Sequence, residues 1–343
     1  MVNYTMKNIL TLGMLSVSIA GFAQKIEFKT LLKDKISIRA LQVSDGKVWY
    51  SGTDSKFGFV SIKDTLNKKQ IRLSDQNLQF RTLEQDKKYF YAINIESPAN
   101  FYKIDKKKLG TEISFRDDAK TAFYDALHFT KEGTAYAFSD SDENLNLKLA
   151  ELNKNGKWSV PDQKLKLNKG EAAFAASNTN IASSKNYLWI ATGGVSSRML
   201  RKDFKAGKWE VFNTPFVQGK SSQGMYSVDF CNDKFGIAVG GDYTSQKENR
   251  NNIATTYDGG KTWQIQASGQ NGGYMTCVKI KPGSKGKEII AVGDQYISYS
   301  SDYGITWNIL SEEKNLYVCE WLDKHTVVFA GKDKIMKMTF QRN

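Results

Sequence analysis

Short apolar runs recur along the chain after residue 24, and turns rich in Gly, Asn, Asp and Lys separate them. Aromatic and β-branched residues alternate with polar ones inside these runs. A period of two is typical of half-buried β-strands, because successive side chains point to opposite faces of a sheet. The 3.6-residue apolar period of an amphipathic helix does not persist over any long stretch. The pattern predicts an all-β fold.

The predicted strands recur in units. Each unit has an apolar strand, a polar turn, a second strand rich in aromatic or small residues, a Gly-rich or Ser-rich turn and a third strand. Seven copies cover residues 36–62, 80–104, 123–152, 172–204, 225–265, 274–309 and 316–340. Their second-strand anchors are Trp49, Phe90, Tyr136, Trp189, Ile237, Ile289 and Val327, spaced 38 to 53 residues apart. This period is typical of propeller blades. The sequence therefore predicts a seven-bladed β-propeller that occupies residues 24–343 as a single domain.

Two copies carry a sharper motif, Ser/Thr-x-Asp-x-Gly-x-Thr-Trp, known as the Asp-box or BNR repeat. It reads TYDGGKTW over residues 256–263 and SSDYGITW over residues 300–307. We assign it a structural role: the Asp accepts hydrogen bonds from turn N–H groups, the Gly adopts an unusual dihedral angle, and the Trp packs between blades. The residues are Thr256, Asp258, Gly260, Trp263, Ser300, Asp302, Gly304 and Trp307.

The first 23 residues form a distinct segment. Lys7 is its only charge, an apolar run covers residues 9–20, and the small residues Gly21 and Ala23 precede Gln24. This is the pattern of a secretory signal peptide, and a buried N-terminal helix is the alternative. We expect cleavage after Ala23, no transmembrane segment in the mature chain, and a periplasmic or extracellular protein.

The last copy contains three clear strands, which would leave an unpaired edge in a closed ring. The apolar segment Ile26–Leu32 has no other assignment, so we predict that it supplies the missing outer strand. Cys231, Cys277 and Cys319 each lie in an apolar run. We interpret them as small core residues, with a disulfide between two of them as the alternative.

Composition narrows the function classes. The chain of 343 residues has 49 Lys and Arg against 36 Asp and Glu, for a net charge of +13, and only two His. Collagen-like, coiled-coil and multi-span membrane classes are excluded, and no zinc site or other metal site is predicted. The charge could steer an acidic ligand or an anionic membrane surface toward the protein. Nucleic-acid binding is not predicted, because the lysines are dispersed over turns and export removes most nucleic acid.

The runs SIRALQVSDGKVWYSGT, GEAAFAASNT, WIATGG, GKSSQGMYSV, GIAVGGDY and NIATTYDGGKTW resemble the photosystem II stability/assembly factor-like family. The resemblance covers most of residues 36–340 and is densest over residues 170–310. It implies a secreted or lumenal propeller that acts as an assembly or interaction scaffold, without an established catalytic triad. We expect no cofactor, since the chain has neither GxGxxG nor CxxC.

Polar residues in these runs, beside innermost strands or the loops that leave them, are the candidate site. They are Arg39, Asp125, Glu171, Asn178, Arg198, Lys220, Asp242, Tyr243 and Asn252. Innermost strands line the central channel of a propeller, so these side chains could converge on its mouth. The alternative is that they form buried ion pairs between blades. Acid–base chemistry by Asp125 and Glu171 is a third reading.

These observations predict a secreted, monomeric scaffold that binds a protein or peptide partner at the central mouth. No catalytic residue is assigned, and a binding protein is favoured over an enzyme. The alternative function is an Asp-box propeller that binds or hydrolyses carbohydrate, with a glycan as ligand. A sialidase is disfavoured because its Arg-Ile-Pro motif is absent.

Overall fold

The structure is a computed structural model that describes residues 25–341. Its regular elements are all β-strands, as the alternating sequence pattern predicted. Among the described residues, no helix has the length and apolar character needed to cross a membrane. The predicted signal peptide, residues 1–23, lies outside the described part of the chain.

The strands are short except at the two ends of the chain. The first fourteen are β1 (Ile26–Ser44), β2 (Lys47–Gly52), β3 (Lys56–Ser61), β4 (Lys68–Arg72), β5 (Glu84–Gln85), β6 (Tyr89–Ile93), β7 (Ala99–Asp105), β8 (Thr111–Asp117), β9 (Tyr124–Phe129), β10 (Ala135–Ser139), β11 (Lys148–Leu152), β12 (Trp158–Ser159), β13 (Glu171–Ala172) and β14 (Ile181–Ser183). The others are β15 (Tyr187–Ala191), β16 (Gly193–Gly194), β17 (Arg198–Asp203), β18 (Lys208–Asn213), β19 (Gln223–Phe230), β20 (Gly236–Asp242), β21 (Ile253–Thr256), β22 (Gln264–Ile265), β23 (Cys277–Ile280), β24 (Ile289–Val292), β25 (Ile297–Ser300), β26 (Asn308–Ser311), β27 (Leu316–Trp321) and β28 (Thr326–Phe340).

These strands form six antiparallel sheets arranged as a β-propeller. Four sheets have four strands, in the orders β5-β6-β7-β8, β12-β11-β10-β9, β14-β15-β17-β18 and β23-β24-β25-β26. Two sheets have six strands, in the orders β27-β28-β1-β2-β3-β4 and β13-β16-β19-β20-β21-β22. The all-β propeller prediction is confirmed.

The predicted number of seven blades is wrong, because the chain forms six sheets. The 19-residue strand β1 causes the difference. Its first part pairs with β28, and its second part pairs with β2. The first and last predicted copies therefore share one continuous strand and merge into a single sheet.

The two ends of the chain pair with each other, as predicted for Ile26–Leu32. The antiparallel ladder between β1 and β28 begins with Ile26 opposite Phe340 and includes Leu32 opposite Ile335. Leu31 and Leu32 are buried against this sheet. The pairing covers an edge of β28 that would otherwise expose unpaired backbone groups.

Seven strands line the axis: β1, β5, β9, β14, β19, β23 and β27. Each contacts the next, and β27 contacts β1, so they form a closed ring. The hydrophobic core lies between adjacent sheets. For example, Trp189 of β15 stacks on Phe230 of β19 with ring centroids 3.8 Å apart.

Removing the closing strand should destabilise the propeller. We expect a chain that begins at Asp34 to melt well below one that begins at Gln24, because β28 loses its partner.

Within the intact chain, Leu32→Ala should cost about 2–5 kcal/mol of unfolding free energy. The exposed Lys29 provides the control, since Lys29→Ala should cost less than about 0.5 kcal/mol. Equal melting temperatures for the two chains would contradict the closing role.

Candidate functional site

A ring of polar side chains surrounds the axis. Each member is itself half-buried and follows a buried residue that lies in an innermost strand or, for Glu84, directly before one. The merged sheet contributes two members, and each of the other five sheets contributes one. The members are Gln42, Glu84, His128, Ser183, Asp229, Lys279 and Glu320, and we call them the channel ring.

The channel ring surrounds a cavity of about 100 Å³. Ser177, Asn178 and Thr179 also line this cavity. They belong to residues 173–179, a segment that carries no regular secondary structure. We call it the plug, because its contacts with several innermost strands place it inside the channel.

Asn178 ties the plug to two sheets. Its side-chain oxygen accepts a hydrogen bond from the Leu127 N–H at 2.8 Å, and its side-chain NH₂ donates to the Leu83 carbonyl at 3.1 Å. Its φ of 61° lies in the left-handed region, which Asn tolerates better than most residues. The amide thus satisfies backbone groups of two innermost strands.

Hydroxyl groups fix the other side of the plug. The Ser177 hydroxyl donates to the Thr276 carbonyl at 2.6 Å. The Thr179 and Ser227 hydroxyl oxygens are 2.6 Å apart, and Ser227 accepts the Val278 N–H at 2.9 Å. These contacts leave the plug hydrogen-bonded to strands on opposite sides of the channel.

One cation in the channel ring faces several anions. The Lys279 ammonium lies 2.7 Å from a carboxylate oxygen of Glu320. Burial alone would lower the pKa of Lys279, but Glu320 and Asp229 outweigh it and raise the pKa. Burial raises the pKa of Asp229, against the opposing effects of Lys279 and of the Ile280 N–H, which donates to Asp229 at 2.7 Å.

Within residues 25–341, Glu84 forms no ion pair with a lysine or an arginine. Burial raises its pKa to about 8, although the Lys279 charge opposes the shift. The His128 Nδ1 atom lies 4.0 Å from Glu84 Oε1. Burial and then the Lys279 charge lower the pKa of His128 to about 4, so the imidazole is neutral at pH 7. Its Nε2 contacts the Ser183 hydroxyl at 2.8 Å. With a pKa of about 8, Glu84 is mostly protonated at neutral pH, because the Lys279 charge offsets only part of the effect of burial.

Two predicted site residues, Arg39 and Asp125, lie on innermost strands. The Arg39 guanidinium lies 4.1 Å from the Tyr317 ring centroid and donates to the Ala176 carbonyl of the plug. Asp125 is 1% exposed, and neither of its carboxyl oxygens makes a well-directed hydrogen bond within the described residues. Burial and then Asp140 raise the pKa of Asp125 well above its usual range, against the opposing charge of Arg81.

Glu171 and Arg198 pair with each other. Arg198 Nη2 lies 2.5 Å from Glu171 Oε2, and its Nε donates to both carboxylate oxygens at 3.0 Å. The Thr192 hydroxyl and the Asn168 N–H also donate to Glu171. The side chain of Glu171 is fully enclosed, so these donors use its hydrogen-bonding capacity inside the fold.

The remaining predicted residues lie in loops or, for Asp242, at the end of β20. Asp242 accepts hydrogen bonds from the N–H and hydroxyl of Thr244, whereas the adjacent Tyr243 is 51% exposed. Asn252 is fully buried, and its side-chain NH₂ donates to the Gly273 carbonyl at 2.7 Å. Lys220 is exposed. None of these four residues lines the channel cavity.

The two Asp-containing motifs fold into matching turns. In the first, the Thr256 hydroxyl donates to Asp258, the Gly260 N–H donates to that hydroxyl, and the Trp263 indole donates to the Gly260 carbonyl. The second motif repeats this pattern with Ser300, Asp302, Gly304 and Trp307. Both Gly residues have a positive φ, 85° and 83°. The two Asp carboxylates thus hold their own turns.

Sequence reasoning nominated one plug residue, Asn178, and missed the channel ring. A signal was present, because each ring member follows a buried residue, usually apolar, in the first strand of a copy. However, β-bulges shift the register in several innermost strands, for example between Ile38 and Ala40. The copies therefore could not be aligned to single-residue accuracy from their alternation alone.

No family model matches this sequence, and no curated protein matches it. Solved structures do match its fold. A structure of YCF48 bound to a D1 peptide is 12% identical, with a TM-score of 0.64, covering 92% of this chain and 97% of that one. YCF48 from Cyanidioschyzon merolae is 12% identical, with a TM-score of 0.67 and coverages of 91% and 98%. The fold is that of these propellers. A structure of U3-55K is as similar, at 11% identity, a TM-score of 0.64 and coverages of 91% and 98%. At these identities the likeness establishes the fold alone.

Breaking the Glu171–Arg198 pair should destabilise the protein. Glu171→Gln removes the charge and leaves the guanidinium uncompensated, at an expected cost of about 3 kcal/mol of unfolding free energy in urea denaturation. The exposed pair of Asp162 and Lys164 is the control, and Asp162→Asn should cost less than about 1 kcal/mol. A Glu171→Gln protein with unchanged stability would argue against a structural role and for a ligand-binding one.

Proposed function

We propose that this chain is an exported β-propeller scaffold that binds a protein or peptide partner at the channel cavity. The channel ring carries the proposal, because all six sheets contribute polar side chains to one cavity. The similarity to YCF48 supports the class of partner, since one of the two YCF48 structures holds a D1 peptide.

The size of the cavity favours one inserted side chain. A volume of about 100 Å³ is several times the roughly 10–15 Å³ of probe volume that one water molecule needs. It has room for the polar end of a long side chain. Together with the peptide in the YCF48 structure, this supports a protein or peptide partner.

The charge of the cavity favours a basic side chain. Three carboxyl groups, those of Glu84, Asp229 and Glu320, face one lysine and a neutral imidazole. A guanidinium or ammonium group beside Glu84 would supply the missing cation and stabilise the ionised carboxylate. The whole chain carries a charge of +13, whereas the channel cavity brings three carboxyl groups together.

Binding of a basic side chain should depend on pH. Glu84 must lose its proton to pair with a cation, and its pKa in the empty cavity is about 8. At pH 6 the proton competes with the cation, so affinity should rise between pH 6 and pH 8 and then level off. In Glu84→Gln, affinity should be lower and this rise should disappear.

A display library of short random peptides, selected on the mature chain, tests the site. We expect selected peptides to share Arg or Lys, and calorimetry to show at least tenfold weaker binding to Ser183→Arg, which places a cation in the channel ring. Thr111→Arg adds the same charge on the exposed outer strand β8 and should bind like the unchanged protein. If the selected peptides bind both variants equally well, the binding site is not the channel cavity. If no peptide is selected, the result contradicts the proposed peptide-binding function.

We infer export and a monomeric state from the sequence. Lys7, the apolar run over residues 9–20 and the small residues before Gln24 support cleavage after Ala23. The two matching turns support Asp-box relatedness of the last sheets. Sequencing the N-terminus of protein purified from the periplasm or medium should give Gln24 as the first residue. Recovery of intact Met1 from that fraction would contradict cleavage.

A further inference from the structure

Two cysteines from neighbouring innermost strands contact each other in the core. The Sγ atoms of Cys277 in β23 and Cys319 in β27 are 3.8 Å apart. Both side chains are buried and reduced, whereas the third cysteine, Cys231, is exposed. Cys277 and Cys319 are therefore a candidate pair, whereas Cys231 is exposed to solvent.

The strands on either side of the two sulfurs are held in register. The Thr276 hydroxyl donates to the Tyr317 carbonyl at 2.6 Å. The Trp321 indole donates to the Lys279 carbonyl at 3.3 Å, and Lys279 forms an ion pair with Glu320 at 2.7 Å. These contacts bracket the cysteines along both strands, so the sulfurs are fixed opposite each other.

We propose that Cys277 and Cys319 form a disulfide that joins β23 to β27. A disulfide has an S–S distance of about 2.05 Å, so the sulfurs must approach by about 1.8 Å from their present contact. Closing this gap requires rotation about the two Cα–Cβ bonds, while the contacts described above keep the strands in register. The bond would connect the six-stranded sheet that holds both chain ends to the sheet before it.

The bond forms by thiol–disulfide exchange with a disulfide oxidant such as oxidised glutathione. The Cys277 thiolate attacks one sulfur of the oxidant and releases the other as a thiolate. The Cys319 thiolate then attacks Cys277 in the mixed disulfide and releases the second thiolate. Two protein thiols lose two electrons and two protons, and the oxidant becomes two thiols.

The folded environment makes Cys277 the more acidic of the two thiols. Burial alone would raise its pKa, but the hydrogen bond from the Cys319 thiol and the charge of Lys279 outweigh burial and lower it. Because both thiols are enclosed in the folded protein, exchange takes place while the sheets assemble. The expected export to an oxidising compartment provides suitable conditions.

Refolding of the full mature chain with and without oxidised glutathione tests the proposal. After oxidative refolding, alkylation in denaturant and proteolysis, mass spectrometry should find a peptide that links Cys277 to Cys319. We expect oxidation to raise the melting temperature by about 5 °C, because it restricts the unfolded chain. Protein that is reduced in denaturant and refolded without oxidant should show neither the linked peptide nor the higher melting temperature.

Three variants make the result specific. Cys231→Ser should keep the link and the gain in melting temperature, whereas Cys277→Ser and Cys319→Ser should each abolish both. If either variant fails to fold, the mass of the linked peptide from Cys231→Ser still decides the matter. Full alkylation of Cys277 and Cys319 after oxidative refolding, or a link that involves Cys231, would overturn the proposal. Neither measurement depends on partner binding.

Discussion

Backbone hydrogen bonds between the two ends of the chain hold the propeller closed. The pairing of β1 with β28 brings residues separated by almost the whole sequence into one ladder. It also explains the sheet count, because β1 continues from this ladder into a second one with β2. The ladder between β1 and β28 also holds β27 beside β1, which completes the ring of innermost strands around the axis. The cavity is thus a consequence of the ring, not of any single sheet.

The plug supplies hydrogen-bond partners to backbone groups of the innermost strands. Innermost strands turn one edge toward the axis, and buried backbone groups on that edge need hydrogen-bond partners. Apart from Phe174, residues 173–179 are small or medium-sized, and Ser177, Asn178 and Thr179 bring side chains that bond to strands on several sides. The plug therefore contributes both packing and hydrogen bonds inside the channel.

Enclosure gives that cavity an electrostatic character unlike the rest of the molecule. Removing carboxyl groups from water favours their neutral form, so burial raises the pKa values of Glu84 and Asp229. The same effect keeps His128 neutral. The channel consequently holds carboxyl groups with raised pKa values, inside a protein that is strongly basic overall. The net charge of the whole chain gives no indication of this local concentration of carboxyl groups.

Local patterns determined much of this structure in advance. Alternation with a period of two set the strands, copy spacing indicated a propeller, and the unassigned apolar segment Ile26–Leu32 indicated closure. Other features depended on contacts between distant residues. Whether β1 ends one sheet or joins two depends on hydrogen bonds along both of its halves, and the pairing of Glu171 with Arg198 depends on how separate strands pack. Channel-ring members such as His128, three residues beyond the nominated Asp125, emerged only from the three-dimensional register. Bulges and ring closure determine which side chains face the axis, and the alternation of apolar and polar residues along a strand predicts neither of them.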